Sequence, residues 1–186
     1  MLDEDEVWRM LERGGAVRYG HLALDAAHHS DRLLGRYRAL EHPSDTERLC
    51  AALLALLGPL DVDFVAVLDE IDDIVLGFIA AREAGRHVVR VGNVEGIVTP
   101  SSPIAPGSRA LVIGDAFLDA APFHGLTALL QARAATVVGV GTLADAGLVA
   151  WPEQVSLVSA VPYRTPVQDC ALCARQVPLE RAFHAP

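Results

Sequence analysis

Hydrophobic and polar positions divide the chain into segments of helical and of strand-like spacing. Apolar residues recur at helical spacing behind an acidic start and predict a first helix over residues 3–13. The segment 20–40 indicates a short alternating strand, a turn and a second extended piece. A longer helix is predicted from about residue 45 to residue 57, where a Gly-Pro pair ends it.

The rest of the chain alternates between strand and helix patterns. Short apolar or β-branched runs predict strands at 64–68, 87–91, 110–113, 136–140 and 155–161. Helical spacing occurs between them at 74–84 and 126–135, and the Gly-, Pro- and Ser-rich segment 92–107 is predicted to form a hairpin or a surface loop. This alternation predicts βαβ units, hence an α/β fold with a parallel sheet flanked by helices and with ligands at the carboxyl ends of its strands.

Composition narrows the classes of function. A length of 186 residues fits a single domain, and a net charge of −9 argues against a nucleic-acid surface. All fifteen basic residues are arginine, which excludes any mechanism that needs a lysine. No apolar run approaches the roughly 20 residues of a membrane span, and the acidic N-terminus does not resemble an export signal. We therefore expect a cytoplasmic protein without membrane or nucleic-acid partners.

Acidic residues follow the first predicted core strand. Asp69, Glu70, Asp72 and Asp73 occupy four of five positions before a helix. Clustered carboxylates can bind Mg²⁺ or a cationic ligand. Acids at a helix N-terminus are also stabilised by the helix dipole alone, so a purely structural role is the alternative. In either case this segment would repel a free anion.

A second acidic segment follows the strand predicted at 110–113. Asp115 comes directly after the strand region and Asp119 lies four residues later, so both could bind the vicinal hydroxyls of a ribose. His124 and Gly125 lie near the start of the next helix and complete this candidate ligand site. The alternative is that Asp115 caps a turn and Asp119 faces water.

Two further polar groups carry possible chemistry. A polar cluster is formed by His28, His29, Ser30 and Asp31, and it could bind a metal or act in catalysis. Consecutive residues cannot form a nucleophilic triad, and a turn with local hydrogen bonds is the alternative.

Cys170 and Cys173 have half of a zinc-site spacing. Because no second such pair is present and Cys50 with a histidine could complete the set only through the tertiary fold, we predict no metal ligands and expect a reduced or disulfide-linked pair.

Four segments, taken in order, carry a family resemblance: 20–31, 63–66, 106–115 and 170–180. Over nearly the whole chain they resemble the orotate phosphoribosyltransferase branch of the type I phosphoribosyltransferases. The resemblance implies a single domain over 1–186, with an N-terminal hood of a helix and short strands in 1–60, an α/β core in 61–161 and a tail in 162–186. It also implies a homodimer and a place in nucleotide metabolism.

The residues that the family uses are altered here. The family binds the ribose hydroxyls with two adjacent acids and the 5′-phosphate with a Thr-Thr-Gly turn, whereas this chain has Gly114 before Asp115 and Leu118, Asp119 and Ala120 in the turn. Asp72 and Asp73 fall near the glycine pair of the pyrophosphate loop. The catalytic loop of the family supplies lysines and arginine; this chain has a short segment there, in which the resemblance matches only Arg90.

We therefore predict a diverged member without normal phosphoribosyl transfer, which binds a nucleoside, another ribose-containing ligand or a partner in the former active-site crevice. Its ligand-binding residues would be Asp69, Asp72, Asp73, Asp115, Asp119, His124, Gly125, His29, Ser30, Asp31 and Arg90, with no catalytic residue assigned and Mg²⁺ as the one candidate cofactor. One alternative is an active phosphoribosyltransferase or related enzyme with altered nucleobase or nucleoside specificity. Another is a subunit that pairs with an active paralogue.

Overall fold

The computed structural model describes residues 2–34, 40–152, 154–159 and 165–181. The helices are α1 (Glu4–Arg13), α2 (Pro43–Leu57), α3 (Ile71–Ala84), α4 (Ala120–Ala132) and the short α5 (Ala171–Ala174). The strands are β1 (Val17–Ala23), β2 (His28–Leu34), β3 (Phe64–Leu68), β4 (His87–Val94), β5 (Ile97–Pro100), β6 (Arg109–Gly114), β7 (Thr136–Asp145), β8 (Gln154–Ser159), β9 (Thr165–Pro166) and β10 (Glu180–Arg181).

Six strands form the large sheet, in the order β5-β4-β3-β6-β7-β8. Its neighbours are parallel except for β5, which pairs antiparallel with β4 in a hairpin. The predicted α/β fold is thereby confirmed, and the Gly-rich segment after β4 is partly a hairpin. Chain connections leave β3 and β6 in opposite directions, so the gap between their carboxyl ends is the switch point where such sheets bind ligands.

The core lies on both faces of this sheet because side chains alternate along its central strands. Val65 and Val67 of β3 face a cluster with α1, α2 and α3. Phe64 and Ala66 face the opposite cluster, to which α4 contributes its buried residues Phe123, Leu126 and Leu130. Both faces are covered, which explains why β3 is a continuous apolar run.

A second, smaller sheet joins the two ends of the chain. Its order is β10-β1-β2-β9, so strands from the C-terminal tail flank the N-terminal hairpin on both sides. Backbone pairs include Leu22 with Glu180 and His29 with Thr165.

The predicted element bounds differ from the observed ones mainly at the site. Helix α3 starts at Ile71 and α4 at Ala120, three and six residues before the predicted starts at 74 and 126. The N-cap residue explains the early start of α4, because Asp119 accepts a hydrogen bond from the Ala121 N–H at 3.0 Å. Strand β8 spans Gln154–Ser159, and the last two residues predicted for it lie outside the described part of the chain. None of the described helices is long and apolar enough to cross a membrane.

Candidate functional site

A hydrogen bond connects the segments that follow β3 and β6. Asp73, in the first turn of α3, accepts the backbone N–H of Asp115 at 2.8 Å. Both acidic segments predicted from the sequence therefore meet at the switch point. The predicted loop of acids after β3 is instead mostly helix, since Glu70 is the N-cap residue of α3 and Asp72 and Asp73 lie in its first turn.

Burial changes the acid–base properties of these carboxyls. Asp73 is only 2% exposed. Burial, and then the neighbouring charge of Asp115, raise the pKa of Asp73 well above its usual range, although the hydrogen bond from the Asp115 backbone opposes the shift. Burial and the charge of Asp115 likewise raise the pKa of Asp72 to about 6. This end of the sheet is therefore unfavourable for added negative charge.

Phe117 packs into the hydrophobic core beside Gly114, at the carboxyl end of β6. Its side chain is 3% exposed, and a Cβ built on Gly114 would lie 2.4 Å from the Phe117 ring. The aromatic ring thus occupies the space that any side chain at position 114 would need. Phe117 also has a φ of 44°, a left-handed conformation that costs a non-glycine residue of order 1–3 kcal/mol. Packing against Phe123, with ring centroids 4.9 Å apart, offsets this strain.

Little open space remains beside Phe117. The cavity here has a volume of about 30 Å³, room for a water molecule or two. Its lining residues are Leu68, Glu70, Ile71, Asp72, Asp73, Asp115, Phe117, Leu118, Asp119 and Pro122. This cavity is smaller than a sugar phosphate.

The remaining candidates of the second acidic segment have local structural roles. Asp115 Oδ1 accepts the N–H of Ala116 at 2.5 Å, and Asp119 is exposed as the alternative expected but also caps α4. His124 is exposed on α4, with its ring against the edge of Phe123. Gly125 lies in the same helix, where an added Cβ would make ordinary contact with Val98.

Arg90 is already paired with an acid. Its guanidinium donates a hydrogen bond to Asp69 Oδ1 at 3.0 Å across the ends of β4 and β3. Both side chains are about half exposed, so the pair is screened by solvent. The arginine matched to the family is therefore partly neutralised by the acid at the start of the former pyrophosphate loop.

The polar cluster at residues 28–31 belongs to the small sheet. His28 bonds to the Asp25 carboxylate at 3.0 Å and Ser30 Oγ donates to the Arg32 carbonyl at 2.6 Å, so the local hydrogen bonds are present. The predicted turn is not, because these residues lie in strand β2. Asp31 is exposed. His29 is buried and bonds elsewhere.

His29 belongs to a second polar group that the sequence did not predict as a unit. Ligand atoms of His21, His29, Cys170 and Cys173 all lie within 4.8 Å of one another, and this is the single group of potential metal ligands found among the described residues. Both cysteines are free thiols. The suggestion that Cys50 could complete such a set was wrong, because Cys50 lies in the core with its thiol against the Leu76 carbonyl. His21 was missed because its cysteine partners are about 150 residues away in the sequence.

Comparisons with known proteins agree with this fold. No family model matches the chain. The orotate phosphoribosyltransferase of Thermus thermophilus is 30% identical over 182 residues, covering 94% of this chain and 98% of that protein. Among solved structures, the orotate phosphoribosyltransferase of Aeropyrum pernix has a TM-score of 0.66 at 17% identity, covering 81% of this chain and 92% of that one. A phosphoribosyltransferase of Corynebacterium diphtheriae has a TM-score of 0.63 at 20% identity, covering 84% and 95%.

The similarity spans both the hood and the core, and the structural neighbours share the sheet with its flanking helices. It extends over nearly the full length of the Thermus protein. The chain belongs to the orotate phosphoribosyltransferase family of type I phosphoribosyltransferases.

Proposed function

We propose that this protein is a family member that has lost phosphoribosyl transfer and acts by binding at the carboxyl end of its sheet. The observation that carries the proposal is Phe117, whose ring packs on Gly114 and leaves no room for a side chain there. An enzyme of this class has to hold a phosphorylated sugar at such a site. Here an aromatic ring lies at the strand end, beside carboxyls whose raised pKa values reflect an environment hostile to further negative charge.

The charge around the crevice supports a neutral or cationic ligand or partner group. Asp69, Glu70 and Asp119 are exposed at its rim, and Arg90 is engaged by Asp69. Departing pyrophosphate needs positively charged or N–H donors, and the loss of one good donor can cost about 2.7–4 kcal/mol of transition-state stabilisation. Neither a lysine nor an unpaired Arg90 supplies that stabilisation in this chain.

Activity is tested by incubating the purified protein with orotate, phosphoribosyl pyrophosphate and Mg²⁺ and measuring nucleotide formation. The Thermus thermophilus orotate phosphoribosyltransferase is the positive control. We expect no turnover above the rate without protein. Turnover in the range of the control would contradict the proposal, and turnover only with another nucleobase would establish the alternative of an enzyme with altered specificity.

We further propose that the protein works in the cytoplasm, where its thiols stay reduced. The support is the three free cysteines.

A further inference from the structure

Two histidines and two cysteines from opposite ends of the chain converge beneath the small sheet. His21 lies on β1, His29 on β2, Cys170 immediately before α5 and Cys173 within it. The first three are buried and Cys173 is partly exposed. Within the part of the chain that is described, no other three metal-ligating side chains come this close.

The distances between the ligand atoms are close to those around a tetrahedral metal. His21 Nε2 lies 2.9 Å from His29 Nδ1, 3.4 Å from Cys170 Sγ and 3.5 Å from Cys173 Sγ. His29 Nδ1 lies 3.3 Å from Cys173 Sγ. With Zn–N near 2.05 Å and Zn–S near 2.3 Å, tetrahedral geometry requires N···N, N···S and S···S separations of about 3.3–3.8 Å. An ion at the centre needs only small shifts of these side chains.

A hydrogen bond to the backbone determines which ring nitrogen of His21 can bind a metal. His21 Nδ1 lies 2.8 Å from the Val177 carbonyl, which can only accept, so Nδ1 carries the proton and Nε2 presents its lone pair to the group. An imidazole held in one tautomer by a backbone carbonyl is typical of a metal ligand.

We propose that His21, His29, Cys170 and Cys173 bind one Zn²⁺ ion. Two imidazoles and two thiolates in a tetrahedral arrangement suit zinc, and four protein ligands leave no open coordination position. The site is therefore structural rather than catalytic.

The position of the ion explains what it would stabilise. Strands β9 and β10, which attach the tail to the hairpin, are only two residues long each. Backbone pairing over so few residues is weak, whereas a metal bound by both chain ends closes the hood onto the tail. The ion would cross-link the two ends of the chain as a disulfide does. A reducing compartment would break a disulfide but not this link.

The first test uses the untagged full-length protein, purified without chelator. Zinc content is measured by plasma mass spectrometry and the metal is then exchanged for Co²⁺. We expect one zinc per chain and a cobalt spectrum with the intense visible bands of tetrahedral coordination and a thiolate charge-transfer band. A zinc content below about one tenth per chain after incubation with Zn²⁺, or an octahedral cobalt spectrum, would overturn the proposal.

Matched variants locate the ion. Cys173→Ser and His29→Ala are each expected to reduce bound zinc at least about tenfold and to lower the unfolding temperature. Cys50→Ala and His28→Ala serve as controls, because each removes a cysteine or a histidine that lies outside the group. Zinc retained at wild-type level in Cys173→Ser would refute the assignment, as would a Cys170–Cys173 disulfide found by mass spectrometry in the freshly purified wild type.

Should a ligand variant fail to fold, the wild type still decides the question. Removing zinc with a chelator is expected to lower its unfolding temperature and to increase the number of thiols that react rapidly, with Zn²⁺ reversing both effects. Unchanged stability and thiol reactivity after chelation would contradict the proposal.

Discussion

At the scale of single residues, Gly114 and Phe117 depend on each other. A Cβ at position 114 would lie 2.4 Å and 2.6 Å from two ring carbons of Phe117 and 3.1 Å from Asp73 Oδ1. The family acid expected at this position therefore cannot be restored while the ring stays in place. A side chain at position 114 and the Phe117 ring in its present position therefore exclude each other.

A double-mutant cycle measures this dependence. Gly114→Ala is expected to lower the free energy of unfolding by about 1–3 kcal/mol through overpacking. In a Phe117→Ala background the same substitution should cost at least about 1 kcal/mol less. Denaturant unfolding of the four proteins gives the coupling, and Gly125→Ala, where the added Cβ has room, is the control. Equal costs of Gly114→Ala in both backgrounds would show that Phe117 does not fill this space.

Asp73 gives a prediction on pH dependence. Its folded-state pKa is raised above the usual value of about 3.9, so the native state holds a proton that the unfolded chain has released, and stability falls as pH rises from about 4 through the raised pKa. Asp73→Asn removes the buried charge while its amide oxygen can still accept the Asp115 N–H. We expect it to raise the free energy of unfolding near pH 8 by about 1 kcal/mol and to flatten the profile between about pH 5 and pH 8.

The same profile for Asp73→Ala separates charge from hydrogen bonding. That variant removes both, leaving the Asp115 N–H without its acceptor, so it should be less stable than Asp73→Asn at every pH. Equal losses of stability for the two variants near pH 8 would contradict a buried, destabilising charge at position 73. Asp72, with its pKa at about 6, contributes in the same direction and stays in both proteins.

At the scale of elements, the strands were predictable where local pattern decides the structure. Residues 64–68 are a continuous apolar run, and β3 has those bounds because both of its faces are buried. The start of α3 was predicted too late because acids before a helix resemble a loop, whereas here Asp72 and Asp73 already belong to the first turn. The left-handed Phe117 and the approach of His21 to the tail depend on tertiary contacts and leave no local signal.

Helix α3 also carries an exposed apolar stripe. Ile71, Val75 and Phe78 lie on one face at helical spacing, with 72% of Ile71 and 65% of Phe78 exposed. Adjacent exposed apolar side chains indicate an interaction surface, and a second copy of the chain agrees with the homodimer that the family resemblance implies. We expect a dimer in solution, with α3 at its interface.

Light scattering after size-exclusion chromatography tests the interface. Phe78→Glu is expected to shift the dimer to a monomer, because it places a charge in an apolar contact. Val94→Glu is the control, since Val94 is similarly exposed but lies on the β4–β5 hairpin. A monomeric wild type, or a dimer unaffected by Phe78→Glu, would exclude α3 as the interface.

At the scale of the whole molecule, the chain has the family fold, and acidic side chains and Phe117 lie where β3 and β6 end. The sheet order, the two-sided core and the hood agree with family membership. The changes concentrate where β3 and β6 end, at Gly114, Phe117 and the carboxyls of α3. A scaffold of this kind keeps its stability in the core and can lose its reaction through a few residues at the switch point.

Calorimetric titration with phosphoribosyl pyrophosphate, in the presence and absence of Mg²⁺, tests this account most directly. The Thermus thermophilus orotate phosphoribosyltransferase serves as the control protein. We predict no measurable binding to this protein under conditions in which the control binds, with or without Mg²⁺. Saturable binding with one site per chain would contradict the account, because it would require the acids around the crevice to accept an anion.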